Sequence, residues 1–297
     1  MFEPLQYEFF IRGLIAATVV GALCGLIGVY IVLRRMAYIG HGLSHAVFGG
    51  AVVSYVMSFN FYLGASIWGF LSALLINATT RKRHFIAADA AIGIITTASF
   101  ALGVALISRY KTFTRSFDAA LFGNILGVSQ GDLYAIYGVT ALAVLLMLLF
   151  YRRLLFTTFD PEVARFYGIP TDWVDTLFSL VLAATIVVSM QVMGVTLIAA
   201  AIVIPPITAR LLSYNFNTVM VLSVLIGAAT GFAGMYSSYF VDVSSGANIV
   251  LTAAAAFLLA MGYSSLREWL AIRHGTALEA ATAGQPVSAE PGAGLWE

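Results

Sequence analysis

Long apolar runs, each near the thickness of a bilayer, alternate with short polar breaks along this 297-residue chain. A helix needs roughly 20 apolar residues to cross a hydrocarbon core. Runs of that kind lie near residues 10–33, 42–59, 62–79, 90–108, 132–150, 173–191, 193–212, 217–240 and 247–265. Strands of a membrane barrel would be about half as long and would alternate in polarity. The pattern predicts an all-α, polytopic transmembrane helix bundle of about nine spans, with eight spans and one re-entrant segment as the alternative.

The breaks give the orientation. Alternate breaks collect Arg34 and Arg35, then Arg81, Lys82 and Arg83, then Arg152, Arg153 and Arg165, then Arg210, then Arg267 and Arg273. Basic residues mark the cytoplasmic face, so these are the inner breaks. The opposite side keeps Arg12, Arg109, Lys111 and Arg115, the last three an exception to the trend. An odd number of spans then places the N-terminus outside and the C-terminus inside. Residues 1–265 are read as the membrane domain and 266–297 as a cytoplasmic tail. The tail's Ala, Gly, Pro, Thr and Glu predict that it is largely disordered. Residues 117–128, apolar but short, are read as a re-entrant or interfacial helix on the outer side, with a surface loop as the alternative.

Composition narrows the class. The chain is 61% hydrophobic and 10% charged, whereas a soluble domain is about one quarter charged. A net charge of +1 gives no footprint for a nucleic acid. The one cysteine, Cys24, has no internal disulfide partner. Glu3 and Glu8 precede the first run where a signal peptide would be basic, so no cleaved signal is expected.

Three stretches can carry chemistry. In RRMAYIGHGLSHAVFGG, residues 34–50, His41 and His45 are four apart. On a helix that spacing sets both imidazoles on one face, one turn apart. Two neutral imidazoles there could hold one divalent cation. The pair also fits a plain packing role, with His41 at the headgroup level and His45 bonded to a carbonyl. Small neighbours (Gly40, Gly42, Ser44, Ala46, Gly49, Gly50) allow other helices to approach closely. Gly42 stands where the zinc-protease HExxH pattern has its glutamate, which argues against an intramembrane metalloprotease.

In FDPEVARFYGIP, residues 159–170, both ends of a short helix are written. Asp160 suits the N-cap, Pro161 the first helical position and Glu162 the positive end of the dipole. Gly168 can close the helix, and Pro170 stops it. Val163, Phe166 and Tyr167 would make an apolar side that needs a cover, either the bilayer or a cytoplasmic protein. In GVTLIAAAIVIPPITARLL, residues 194–212, Pro205 and Pro206 remove backbone donors inside a span and predict a kink.

The carboxylates Asp89, Asp118, Asp132, Asp172, Asp175 and Asp242 read as isolated. Asp89, Asp132 and Asp172 are expected to cap helices. Asp118 and Asp242 lie on the outer side, where drawing cations is the alternative to capping or solvation. There is no P-loop, so the chain is not itself an ATPase, and no nucleophile-base pattern marks an enzyme.

The order of these motifs resembles the permease subunit of the bacterial ABC transporters for zinc and manganese. Residues 32–50, AAIGIITTASFALGV at 90–104, FDAALFGNIL at 117–126, and the last two stretches above carry the resemblance, which spans about residues 10–265. It implies a multi-pass protein of the bacterial inner (plasma) membrane with a type II ABC importer-like fold. It also implies a second permease copy, two cytoplasmic ATPase subunits that bind the ATP, and an extracytoplasmic metal-binding protein. Asp160, Pro161, Glu162, Ala164 and Gly168 then fall on the helix that couples to the ATPase. The family's usual Gly-Asp-x-x-Ser-His-Ala is matched by residues 40–46, with His45 kept and His41 in place of the Asp. Imidazole for carboxylate favours zinc over manganese. The resulting expectation is an ATP-driven importer for a divalent transition metal, zinc first. A manganese or iron importer of the same build is the alternative, and an ATPase-independent metal carrier is a further one. No resident cofactor is expected; Zn2+ or Mn2+ would be cargo.

Overall fold

The structure, a computed structural model, describes residues 3–82, 88–110 and 121–283. After a 3-10 turn at Glu3–Gln6 the chain forms α1 (Glu8–Leu33), α2 (Ala37–Val56), α3 (Phe61–Lys82) and α4 (Ala88–Tyr110). A 3-10 turn at Ile125–Gly127 precedes α5 (Gln130–Leu149), α6 (Tyr151–Phe159) and α7 (Pro161–Phe166). Then follow α8 (Thr171–Met193), α9 (Val195–Leu212), α10 (Phe216–Val241) and α11 (Ser245–Ala283). All nine predicted runs are helices, and the fold is an all-α polytopic bundle.

Eight of these helices are long and apolar enough to cross a membrane: α1, α3, α4, α5, α8, α9, α10 and α11. The remaining long helix is α2, whose two histidines and four serine or tyrosine positions lower its hydropathy. It is packed by α3, α4, α8 and α9. A helix packed by protein along most of its faces can keep polar side chains that lipid would not accept.

Water does not drive helices together inside lipid, so close approach and dispersion must. The most extensive helix pair, α1 with α10, shows how the sequence meets that need. Gly21 and Gly227 face one another so closely that a Cβ on either would strike the other's carbonyl. Gly25 lies against the Ser223 carbonyl, and Ser223 Oγ donates to Gly25 O at 2.7 Å. The core around this seam is filled by Tyr30, Phe178 and Leu182, all buried.

Two ends of the bundle can be told apart. At one end, the end of α1, the α6–α7 segment, the start of α8 and the start of α10 meet: Arg34 reaches Thr158 and Asp175, and Tyr151 donates to Asn217 at 2.8 Å. This is the inner end by the basic residues. At the other end, residues 121–128 are folded into the break between α8 and α9. Asn124 N donates to Gln191 O at 3.0 Å, and Thr196 Oγ1 donates to Leu121 O at 2.7 Å. Gly123 and Gly194 both have positive φ, and a Cβ on either would collide with the other's strand of backbone. The predicted outer segment is thus packed over residues 121–128; its start, with Asp118, and Lys111 and Arg115 before it lie outside the described residues. Arg83 lies outside them as well, and Arg109 sits exposed in the last turn of α4.

Several helix ends differ from expectation. α11 does not stop at 265 but runs to Ala283, because residues 266–283 are rich in the good helix formers Leu, Arg, Glu and Ala. The expected tail therefore begins in helix. α6 was not predicted: it is a short amphipathic piece, with Leu154 and Thr157 buried and Arg152 and Arg153 exposed, set off from α5 at Phe150. Asp89 and Asp172 are not N-caps, because α4 starts at Ala88 and Pro170 precedes α8; both sit in first turns, where a carboxylate still suits the dipole. Asp132 is the third helical residue, in a reciprocal capping box with Ser129. Asp242 ends α10 in the left-handed region.

Candidate functional site

The α1–α2 turn aims the histidine helix. Arg34 ends α1, and Arg35 takes a positive φ of 56°. Arg35 N donates to Val32 O and Met36 N to Ile31 O, the paired closing bonds of a Schellman turn. Only Arg34, Arg35 and Met36 separate the helices.

On α2, small residues set the register against α4. Gly42 sits under Ile92 and Thr96, and Gly49 under the Ser99 backbone. On the other side Gly50 faces Gly64 and Trp68 of α3. Nearly every residue from 42 to 52 is buried; His41 is exposed and His45 half-buried. The two imidazoles lie edge to face with ring centres 4.7 Å apart. His45 also packs edge-on against Phe100 of α4, with centres 5.0 Å apart. Its Nδ1 is buried and has no hydrogen-bond partner among the described residues. Ser44 Oγ donates to His41 O at 2.7 Å, so the serine of this motif serves the backbone.

The pair is thus side by side, as the spacing required, and one ring nitrogen is left free. Among the described residues no third His, Cys, Asp or Glu joins it in a group. Two imidazoles alone could offer a divalent cation only a low-coordination contact, short of the four ligands of a closed structural site.

The α7 segment is built as the sequence specified. Asp160 Oδ1 accepts from Val163 N at 2.9 Å, and Pro161 is the first helical residue. Gly168, at φ 77°, closes the helix: Gly168 N donates to Arg165 O at 2.9 Å and Ile169 N to Ala164 O at 3.0 Å. Ala164 is fully buried, so the helix is seated on the bundle, while Glu162 and Val163 are exposed and Phe166 and Tyr167 are 87% and 71% exposed. Two large aromatics this bare at a basic end form an uncovered apolar knob.

Pro205 and Pro206 are buried inside a helix that runs unbroken from Val195 to Leu212. Pro206 leaves the Ile202 carbonyl without its helical donor. That oxygen lies against Gly28 of α1, where any Cβ would collide with it. The prolines are therefore placed in the α1–α9 contact, and the histidines are on α2.

One cluster escaped sequence reading. Asp175 is not isolated: its carboxylate accepts from Arg34 Nη1 at 2.6 Å. Arg34 Nε also donates to Thr158 Oγ1 at 2.9 Å, and its guanidinium carbon lies 4.9 Å from the Phe178 ring centre. The usable signal was a carboxylate inside the second turn of a span, which calls for a cation at the same depth.

With this geometry in place, the profile of the ABC 3 transport family matches residues 6–264. The chain belongs to the ABC 3 transport family. It is a multi-pass permease of the bacterial inner membrane. A manganese transport system membrane protein, MntC, of Halalkalibacterium halodurans is 39% identical over 262 residues, 88% of this chain and 89% of that protein. A probable iron transport system membrane protein of Haemophilus influenzae is 33% identical over 264 residues, 89% of this chain and 93% of that one. Among solved structures, PsaBC from Streptococcus pneumoniae in complex with Fab superimposes with a TM-score of 0.79 at 36% identity, over 87% of this chain and 93% of that chain.

Proposed function

We propose that this permease moves divalent manganese into the cytoplasm as part of an ATP-driven importer, with His41 and His45 contacting the ion in passage. The observation that carries the choice of metal is full-length similarity to a protein named for manganese transport. This reverses the zinc-first expectation from His41, because ligand softness at one position weighs less than likeness along the whole chain. The pair itself still favours the second reading, zinc, since both side chains offer nitrogen.

In this reading two ATPase subunits supply the hydrolysis, a second permease copy completes the pathway, and an extracytoplasmic protein delivers the ion. Each ATPase covers the Phe166–Tyr167 knob, so α7 with Asp160, Pro161, Glu162, Ala164 and Gly168 is the docking helix. Nucleotide-driven movement of α7 shifts the inner ends of α1, α6 and α8, and the histidine helix follows. The buried Pro205 and Pro206 give α9 a backbone that can adjust. Among the described residues of one protomer the site offers two imidazoles, so the ion keeps most of its shell from water or from the second copy, and can leave.

The test is uptake by the complex reconstituted in vesicles, with manganese and zinc in competition. Manganese uptake that needs ATP and exceeds zinc uptake supports the proposal; zinc uptake ahead of manganese selects the second reading. His41→Asp, which adds an oxygen donor, is expected to raise the manganese-to-zinc ratio several-fold. Accumulation of metal without any ATPase subunit would overturn both readings.

A further inference from the structure

Arg34 joins the three parts that the proposed transport cycle must link. Its side chain is 7% exposed. It ends α1 and opens the three-residue connection to the histidine helix. Through Nε it holds Thr158, two residues before the Asp160 that caps α7. Through Nη1 it holds Asp175, in the second turn of α8, the helix that α7 leads into. One guanidinium therefore grips both roots of the exposed α7 knob. A planar fork suits this task, because its donors are fixed relative to one another and a lysine's single ammonium is not.

The grip is incomplete in a telling way. Among the described residues, Arg34 Nη2 is buried without a hydrogen-bond partner. So is Tyr30 Oη, one turn back on α1, and the Tyr30 ring lies 6.1 Å from the same Phe178 ring that Arg34 covers. Buried polar groups left unpaired are unfavourable and call for an explanation. A fork with a spare donor can change partners without leaving its pocket.

We propose that Arg34 is the positioning residue that carries movement of α7 to the histidine helix. It makes the α6–α7–α8 turn and the end of α1 one body. The short Schellman turn at Arg34, Arg35 and Met36 leaves little slack before α2, so the body's displacement reaches His41 and His45. The inference rests on the reading of α7 as the ATPase-docking helix and of the histidines as the ion contact.

The test compares metal moved per ATP hydrolysed by the full reconstituted complex, using manganese chloride and, separately, zinc chloride. Wild-type complex must first show ATP-dependent uptake; if it shows none, the proposed function fails and not this inference alone. Given that uptake, Arg34→Gln and Asp175→Asn are each expected to assemble with the ATPase and hydrolyse ATP within twofold of wild type, while metal moved per ATP falls at least tenfold. Arg34→Lys, which keeps the charge but not the fork, is expected to recover only part of the ratio. An unchanged ratio in Arg34→Gln overturns the inference. So does loss of hydrolysis and uptake in equal proportion in both Arg34→Gln and Asp175→Asn, or failure of both to reach the membrane, because each outcome marks a purely structural pair.

Discussion

α1 and α2 are neighbours in the chain, yet glycine is used on them to opposite ends. On α1, Gly21, Gly25 and Gly28 bring backbone onto backbone of α10 and α9, and the helix is enclosed along most of its length. On α2, Gly42 and Gly49 seat the helix on α4 and Gly50 seats it on α3, but one stripe with His41 and His45 is left at the margin. The first arrangement makes a post. The second holds a helix firmly from two sides so that the remaining side can present a reactive pair. Tight packing and an accessible pair of imidazoles are compatible because they occupy different faces of one helix.

The largest effect should come from breaking the post. Gly21→Leu places a branched side chain where even a Cβ would meet the Gly227 carbonyl, and backbone has nowhere to retreat. Overpacking of this sort costs on the order of 3 kcal/mol. Membrane content and melting in detergent should both fall sharply, and a normal melt would show that the seam is looser than described.

Next comes His45→Ala. It removes one imidazole and its contact with Phe100 but leaves the glycine register intact. Uptake should drop at least a hundredfold while stability changes by about 1 kcal/mol. Normal transport would detach the ion from this helix.

The mildest change, Gly42→Ala, sharpens the contrast between the two helices. Its Cβ would come within 2.7 Å of Ile92 Cγ2 and 3.0 Å of the Thr96 methyl carbon, both branch methyls of buried side chains that a helix holds in one rotamer. Alanine's better helix propensity, worth about 1 kcal/mol, offsets part of that crowding. The melt should fall by less than that of Gly21→Leu, and uptake should fall a few-fold as the histidine row shifts. A collapse like that of Gly21→Leu would mean that α2 is as locked as α1.

Spans were legible because each run is long and self-contained, and α7 was legible because Asp160, Pro161 and Gly168 each act within a few residues of one another. Local chemistry is what a single sequence displays. The Arg34–Asp175 pair was not legible, since its partners are 141 positions apart and only the fold brings them together. α6 was hidden because it is short and continues directly from a span. The end of α11 was misplaced because hydropathy falls at 265 while helix propensity does not. For the histidines, spacing gave their shared face, while Phe100 beside His45 comes from another helix. Ligand softness pointed to one metal and whole-chain likeness to another, which shows how little one residue type fixes about cargo.

The bare ring of Phe166 beside Tyr167 has a bearing on how much of this protein a cell can tolerate. If an ATPase covers α7 as proposed, a copy inserted without it holds a greasy prong into the cytosol, an invitation to clumping and to quality-control proteolysis. Synthesis in step with that subunit would be the economical remedy.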